Sequence, residues 1–167
     1  SPRDDEEEPE ESRLYRDEGY GINDLAMHLK NLDIWFGLYL PSLSDMQKAT
    51  LKRCLVELYA QFRIDWDTDI LELEAKDFPV FTDLYLLLKS RAEEQPGEIV
   101  YKELLNLLYD LVYGADSFIW NGHSTVASSA RFLVLDTHAL QETGENVQRA
   151  QYFLIMLYNW RLMGCGR

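Results

Sequence analysis

Only two cysteines occur in 167 residues, Cys54 and Cys165, far apart and without a Cys-x-x-Cys spacing. That pattern supplies neither a disulfide framework nor a zinc knuckle, and it makes a reducing, cytoplasmic setting the expectation. Every apolar run is broken by a charge well before the roughly 18 residues a membrane span needs, so no transmembrane segment is expected. No Lys- or Arg-led apolar stretch follows Ser1, so no signal peptide is visible and the chain is expected to begin inside a longer polypeptide. Basic residues are scarce as well. Sixteen Lys and Arg face 29 Asp and Glu, a formal net charge of -13 that repels a phosphate backbone instead of neutralising it. Direct nucleic-acid binding is not expected of such a surface.

What the sequence does have is a core. Hydrophobic residues make up 47% and aromatics 13%, too apolar for a disordered chain. A chain this long buries roughly 70% of the surface it would expose unfolded, so it needs no metal or cross-link to be stable. The charge is uneven: residues 1–20 hold nine acids and three bases, whereas the other 147 residues hold 20 acids and 13 bases. We read residues 1–19 as an acidic, flexible leader and residues 20–167 as a single helical domain.

From Ile22 the apolar residues Leu25, Leu29, Leu32, Phe36 and Tyr39 recur every three to four positions until Pro41. Trp35, Leu38 and Ile34 widen that stripe, so this helix is expected to be buried on more than one side. Ser44-Asp45-Met46-Gln47 is a capping box that opens a second helix, with Leu51, Cys54, Leu55, Leu58 and Phe62 on one face. Arg53 and Glu57 are spaced to pair on its other face. Pro79 and Thr82 signal the start of a third helix carrying Leu84, Leu87 and Leu88, which Gln95-Pro96-Gly97 ends. A fourth runs from about Glu98 to Tyr113, with Gly114 as its stop. Asn121-Gly122 predicts a hairpin between Ser117–Trp120 and His123–Val126, and Arg131–Asp136 reads as a short buried strand. A last helix is expected from about Asn146 to Met163. The fold class is thus mainly α, about five helices with a small β-hairpin and one short strand.

Sites are sparse. None of the six lysines (Lys30, Lys48, Lys52, Lys76, Lys89, Lys102) follows a glycine, so the chain has no Walker A loop. Phe132-Leu133-Val134-Leu135-Asp136 has the shape of a Walker B strand but has no such loop to serve, and many strands end at an Asp that starts a turn. Asp65, Asp67 and Asp69 alternate like the start of a calcium loop. The sixth and twelfth positions are Ile70 and Lys76 where Gly and Glu are required, so caps or solvated acids are the better account. His123, Asp136 and His138 could converge on a metal, or be polar residues at a strand exit and a hairpin. His28 reads as a helix-surface or boundary histidine, and neither cysteine has a nearby histidine that would make it a nucleophile. Trp35, Trp66, Trp120 and Trp160 are read as packing residues rather than a base-stacking platform. No catalytic, cofactor-binding or metal residue is assigned.

Gly114–His123 (Gly-Ala-Asp-Ser-Phe-Ile-Trp-Asn-Gly-His), Phe132–Leu140 (Phe-Leu-Val-Leu-Asp-Thr-His-Ala-Leu) and the helix with Ala150-Gln151-Tyr152-Phe153 and Trp160 resemble the conjugative type IV secretion ATPases, traffic ATPases of the FtsK and HerA superfamily. Leu40-Pro41-Ser42-Leu43-Ser44 and Asp77–Tyr85 look similar to the same family, and the likeness spans roughly residues 20–163. It implies a helical insertion within a larger RecA-like ATPase, with ATP and Mg bound by the parent and no cofactor by this fragment. The family's Walker A is expected before Ser1 and its Walker B after Arg167, which makes the fragment itself inactive. The resemblance further implies other subunits of the same ATPase and secretion components as partners, and a cytoplasmic location at the inner face of the membrane in the parent. Two other readings stay open: a self-contained helical adaptor that holds a partner helix, and a small metal-dependent enzyme around His123, Asp136 and His138.

Overall fold

The computed structural model describes residues 24–120 and 144–164. Helix α1 (Asp24–Tyr39) is closed by the turn at Pro41 and is buried on several sides through Leu25, Leu32, Trp35, Phe36 and Tyr39. Ile34, expected to join that buried face, is half-exposed. Helix α2 (Asp45–Gln61) begins at the expected capping box. The Gln47 N–H donates to Ser44 Oγ at 3.1 Å and the Ser44 N–H donates to Gln47 Oε1 at 2.9 Å.

Helix α2 ends in a Schellman motif. The Ile64 N–H donates to the Tyr59 carbonyl and the Arg63 N–H to that of Ala60, both at 2.9 Å, which places Arg63 in the left-handed region at φ 61°. Ile64 then buries its side chain and fixes the direction of the connection that follows. That connection contains two 3-10 turns, Ile70–Glu72 and Ala75–Asp77, before α3 (Phe81–Glu94) begins. Asp83 Oδ2 accepts from the Val80 N–H at 2.7 Å and caps α3, in place of the expected Pro79 and Thr82 signals. Helix α4 (Ile99–Val112) returns after the Gln95-Pro96-Gly97 turn and packs most extensively on α3, burying Leu104 and Leu108 fully.

Ser117–Trp120, expected as the first arm of a hairpin, is instead a helical turn, α5. Its N–H groups are taken locally: Ser117, Phe118 and Ile119 donate to the carbonyls of Gly114, Ala115 and Asp116 at 3.1 to 3.3 Å. A run of four residues is too short to separate a strand from a turn of helix. The second arm and the strand at 131–136 lie outside the described residues, among which there is no strand. Helix α6 (Glu145–Gly164) lies along α1 and buries Val147, Ala150 and Leu154. All five long helices read from the sequence are therefore present, and their buried side chains form one cluster.

The expected Arg53–Glu57 pair does not form. Glu57 reaches across to Arg91 of α3, and Arg53 Nη2 donates to Thr50 Oγ1 at 3.4 Å. Arg91 also holds Glu94 at 2.7 Å, so one guanidinium with less than a quarter of its side chain exposed ties α2 to α3. Phe62, expected on the buried face of α2, sits at its C-cap and stays partly exposed.

Two substitutions test these ends. Arg63→Gly relieves a left-handed conformation that costs a side-chain-bearing residue about 1–2 kcal/mol, partly offset by the freer unfolded chain. We expect a gain of about 1 kcal/mol or less in urea unfolding, and a loss would mean that the Arg63 side chain matters more than its backbone. At Gly114 an added Cβ would lie 2.8 Å from Asp110 Cα, a backbone atom that cannot give way. Gly114→Ala should cost roughly 1–3 kcal/mol, read by the same unfolding curve.

Candidate functional site

The residues singled out in the sequence separate clearly. Asp65, Asp67 and Asp69 do not converge on an ion: Asp65 Oδ1 accepts from the Asp67 N–H at 2.9 Å and from Thr68 Oγ1 at 3.1 Å, and Asp69 Oδ1 accepts from the Leu71 N–H at 3.1 Å. Asp65 and Asp69 are local caps of turns, and Asp67 contributes its backbone N–H to the first of them. Among the described residues no His, Cys, Asp and Glu cluster could hold a metal. His123, Asp136, His138 and Cys165 lie outside the described residues, as do the side chains of Trp120 and Trp160. Cys54 is buried, and burial pushes its thiol pKa up, which makes it a poor nucleophile. Trp35 is 1% exposed in the core, whereas Trp66 is half-exposed on the connection after α2.

His28 is not the boundary residue that the sequence suggested; it is 3% exposed. Its Nε2 shares a 2.6 Å hydrogen bond with the Tyr59 hydroxyl, and its ring packs against Tyr59 and Phe78 at centroid distances of 5.4 and 5.6 Å. The bond joins α1 to α2 inside the core.

A groove of about 220 Å³ opens between α1 and the start of α2, lined by Asp33, Ile34, Gly37, Leu43, Lys48 and Lys52 among others. Lys52 Nζ stands 3.5 Å from Asp33 Oδ2. Burial raises the Asp33 pKa, and the Lys52 charge works against that rise. The volume falls short of the roughly 300–1,000 Å³ typical of a small-molecule site. The groove is a dimple between helices and supplies no acid, base and nucleophile together.

Two long-range polar contacts meet at the end of α1. The Tyr39 ring stacks on Trp35 at 5.3 Å and 14°, and its hydroxyl donates to Asp116 Oδ2 at 2.6 Å. The Tyr39 carbonyl, one of those an α-helix leaves unpaired at its C-terminus, accepts from Asn146 Nδ2 at 2.8 Å. Nothing in the sequence marked Asp116 or Asn146, because their partner is 77 and 107 positions away. Burial first, then the Asp116 hydrogen bond and the charges of Asp116 and Asp110, push the Tyr39 pKa far above its ordinary value. Burial alone does the same to Tyr59.

These shifts have a direction in pH. Both phenols keep their protons in the folded chain while the unfolded chain releases them near pH 10, so stability is intact below pH 10 and falls above it. Each tyrosine should add about 1.4 kcal/mol per pH unit to that fall. Urea midpoints between pH 9 and 11 should therefore drop less steeply in Tyr39→Phe and Tyr59→Phe than in the unaltered chain. Unchanged slopes would show that neither hydroxyl is held in this way.

No family model matches the sequence, and no curated protein matches it. A solved structure does: VirB4 of Thermoanaerobacter pseudethanolicus aligns over 83% of this chain with 37% identity and a TM-score of 0.71. The match takes in 47% of the VirB4 chain, so this chain spans about half the length of its relative. Identity at that level over most of the sequence, together with a shared fold, bears out the family likeness read from residues 20–163: this chain is a relative of VirB4, a fragment-length match to the type IV secretion ATPases.

Proposed function

We propose that this chain is a helical domain of a type IV secretion ATPase that serves conjugative transfer, and that it does not itself hydrolyse ATP. The match to VirB4 over 83% of the sequence carries the first part of this reading. The second is supported by a sequence in which no lysine follows a glycine, so no backbone cradle of the Walker A type is present to hold phosphates. ATP and Mg would be bound by other parts of the parent. Among the described residues no helix is long and apolar enough to cross a membrane. Contact with the membrane's inner face would come through the assembly, and the partners would be neighbouring ATPase subunits and secretion components. The excess of acids argues against this domain gripping DNA directly, whatever the parent transports.

The purified chain incubated with Mg and ATP should release no phosphate above the blank. A measurable rate lost on Asp136→Ala would overturn the non-hydrolysing role. The reading frame of origin gives a second check, since it should encode a Gly-x-x-x-x-Gly-Lys loop upstream and an apolar strand ending in Asp-Glu downstream. A frame with neither would favour a self-contained adaptor.

A further inference from the structure

The groove between α1 and the start of α2 is kept open by a glycine that the helix does not need. Gly37 lies in the last turn of α1 with no left-handed φ to require it, and alanine would hold a helix better at such a position. An added Cβ would meet nothing within 4 Å among the described residues. What the missing side chain leaves is room beside half-exposed Ile34, over the buried Phe36 and Leu43. Two lysines stand over this apolar floor on successive turns of α2. Lys52 is held 3.5 Å from Asp33, and Lys48 pairs with no acid among the described residues.

The complement to such a seat lies past the other end of α2. The connection from Asp65 to Asp77 holds six acids against one base, Lys76. Within it Leu71 is 64% exposed, between Asp69 and Glu72. An apolar side chain flanked by acids is matched in shape and charge by an apolar floor flanked by lysines. The connection does not reach the groove of its own chain: Phe78 packs it against α1 at His28, and about 20 Å of helix separates Lys48 from the end of α2. Seat and segment at opposite ends of one helix make a heterologous pair, which joins copies head to tail and not as a two-fold dimer.

We propose that the groove seats residues 69–72 of a second copy of this chain, with Leu71 entering over Gly37 while Asp69 and Glu72 meet Lys48 and Lys52. A contact this small is weak alone, with a Kd of about 10 μM to 1 mM, and gains from any assembly that holds copies close together. Both surfaces belong to this chain, so the contact stands apart from the secretion reading.

Sedimentation equilibrium of the full chain over about 10 μM to 1 mM should show reversible association that weakens as salt rises from about 0.05 to 0.5 M. Lys48→Glu and Glu72→Lys should each weaken it at least about tenfold. An equimolar mixture of the two, and the double variant, should recover it, because each groove can then meet a connection of matching charge. Gly37→Leu should abolish association while the urea midpoint holds or rises, which separates a filled seat from a damaged fold. A chain that stays monomeric throughout would overturn the contact and leave the groove to a different protein. Association indifferent to Gly37→Leu, or a mixture no better than its two components, would overturn it as well.

Discussion

The stacking of Trp35 between Tyr39 and Phe81 is the contact on which the remaining architecture depends. Its centroids lie 5.3 and 5.1 Å from those rings, at interplanar angles of 14° and 19°, and Phe36 meets both Trp35 and Phe81 edge-on. Aromatic pairs of this kind add about 0.5–1.5 kcal/mol each beyond the area they bury. Their geometry matters more than their sum. Phe81 is the first residue of α3, so the stack fixes where α3 starts relative to α1. Tyr39 is the last residue of α1, so the same stack aims its hydroxyl at Asp116. The hydrophobic centre and the polar joint at the end of α1 are therefore one construction.

The interhelical polar contacts share a logic. His28 with Tyr59 and Arg91 with Glu57 each link neighbouring helices through partly or fully buried groups that have named partners. Buried polar groups left without partners would cost about 1–3 kcal/mol each, so such pairs discriminate one helix register from another even where their net contribution is small. Apolar packing alone permits a helix to slide by a turn. A histidine that must meet one tyrosine does not.

The five long helices were legible because each is written twice, once in apolar spacing and once in its ends. Ser44 with Gln47, Pro41, and Gln95-Pro96-Gly97 mark boundaries that local chemistry enforces. What was not legible depends on partners distant in sequence. His28 lies on an apolar face with nothing nearby to say that a tyrosine 31 positions on would satisfy it. Glu57 has an arginine four residues back and takes one from another helix instead. Ser117–Trp120 beside Asn121-Gly122 carried a strong hairpin pattern, yet the preceding turn captured its N–H groups first. The polar joint at Tyr39 was hidden for the same reason, since the apolar stripe explains the ring and says nothing of the hydroxyl. The family likeness was legible where the candidate sites were not, because it rests on runs of residues and not on any one cluster.

The acids that open turns and helices separate two properties that composition merges. Asp69, Asp77 and Asp83 each accept a backbone N–H at 2.7 to 3.1 Å, and it is that acceptance which punctuates the chain. An amide oxygen accepts in the same place and forgoes only the modest attraction between a negative charge and a helix start. Over evolutionary time the folded part could therefore drift toward neutrality at these positions and keep its punctuation, so the surplus of negative charge there is a property of the surface and its neighbours, and the architecture does not demand it.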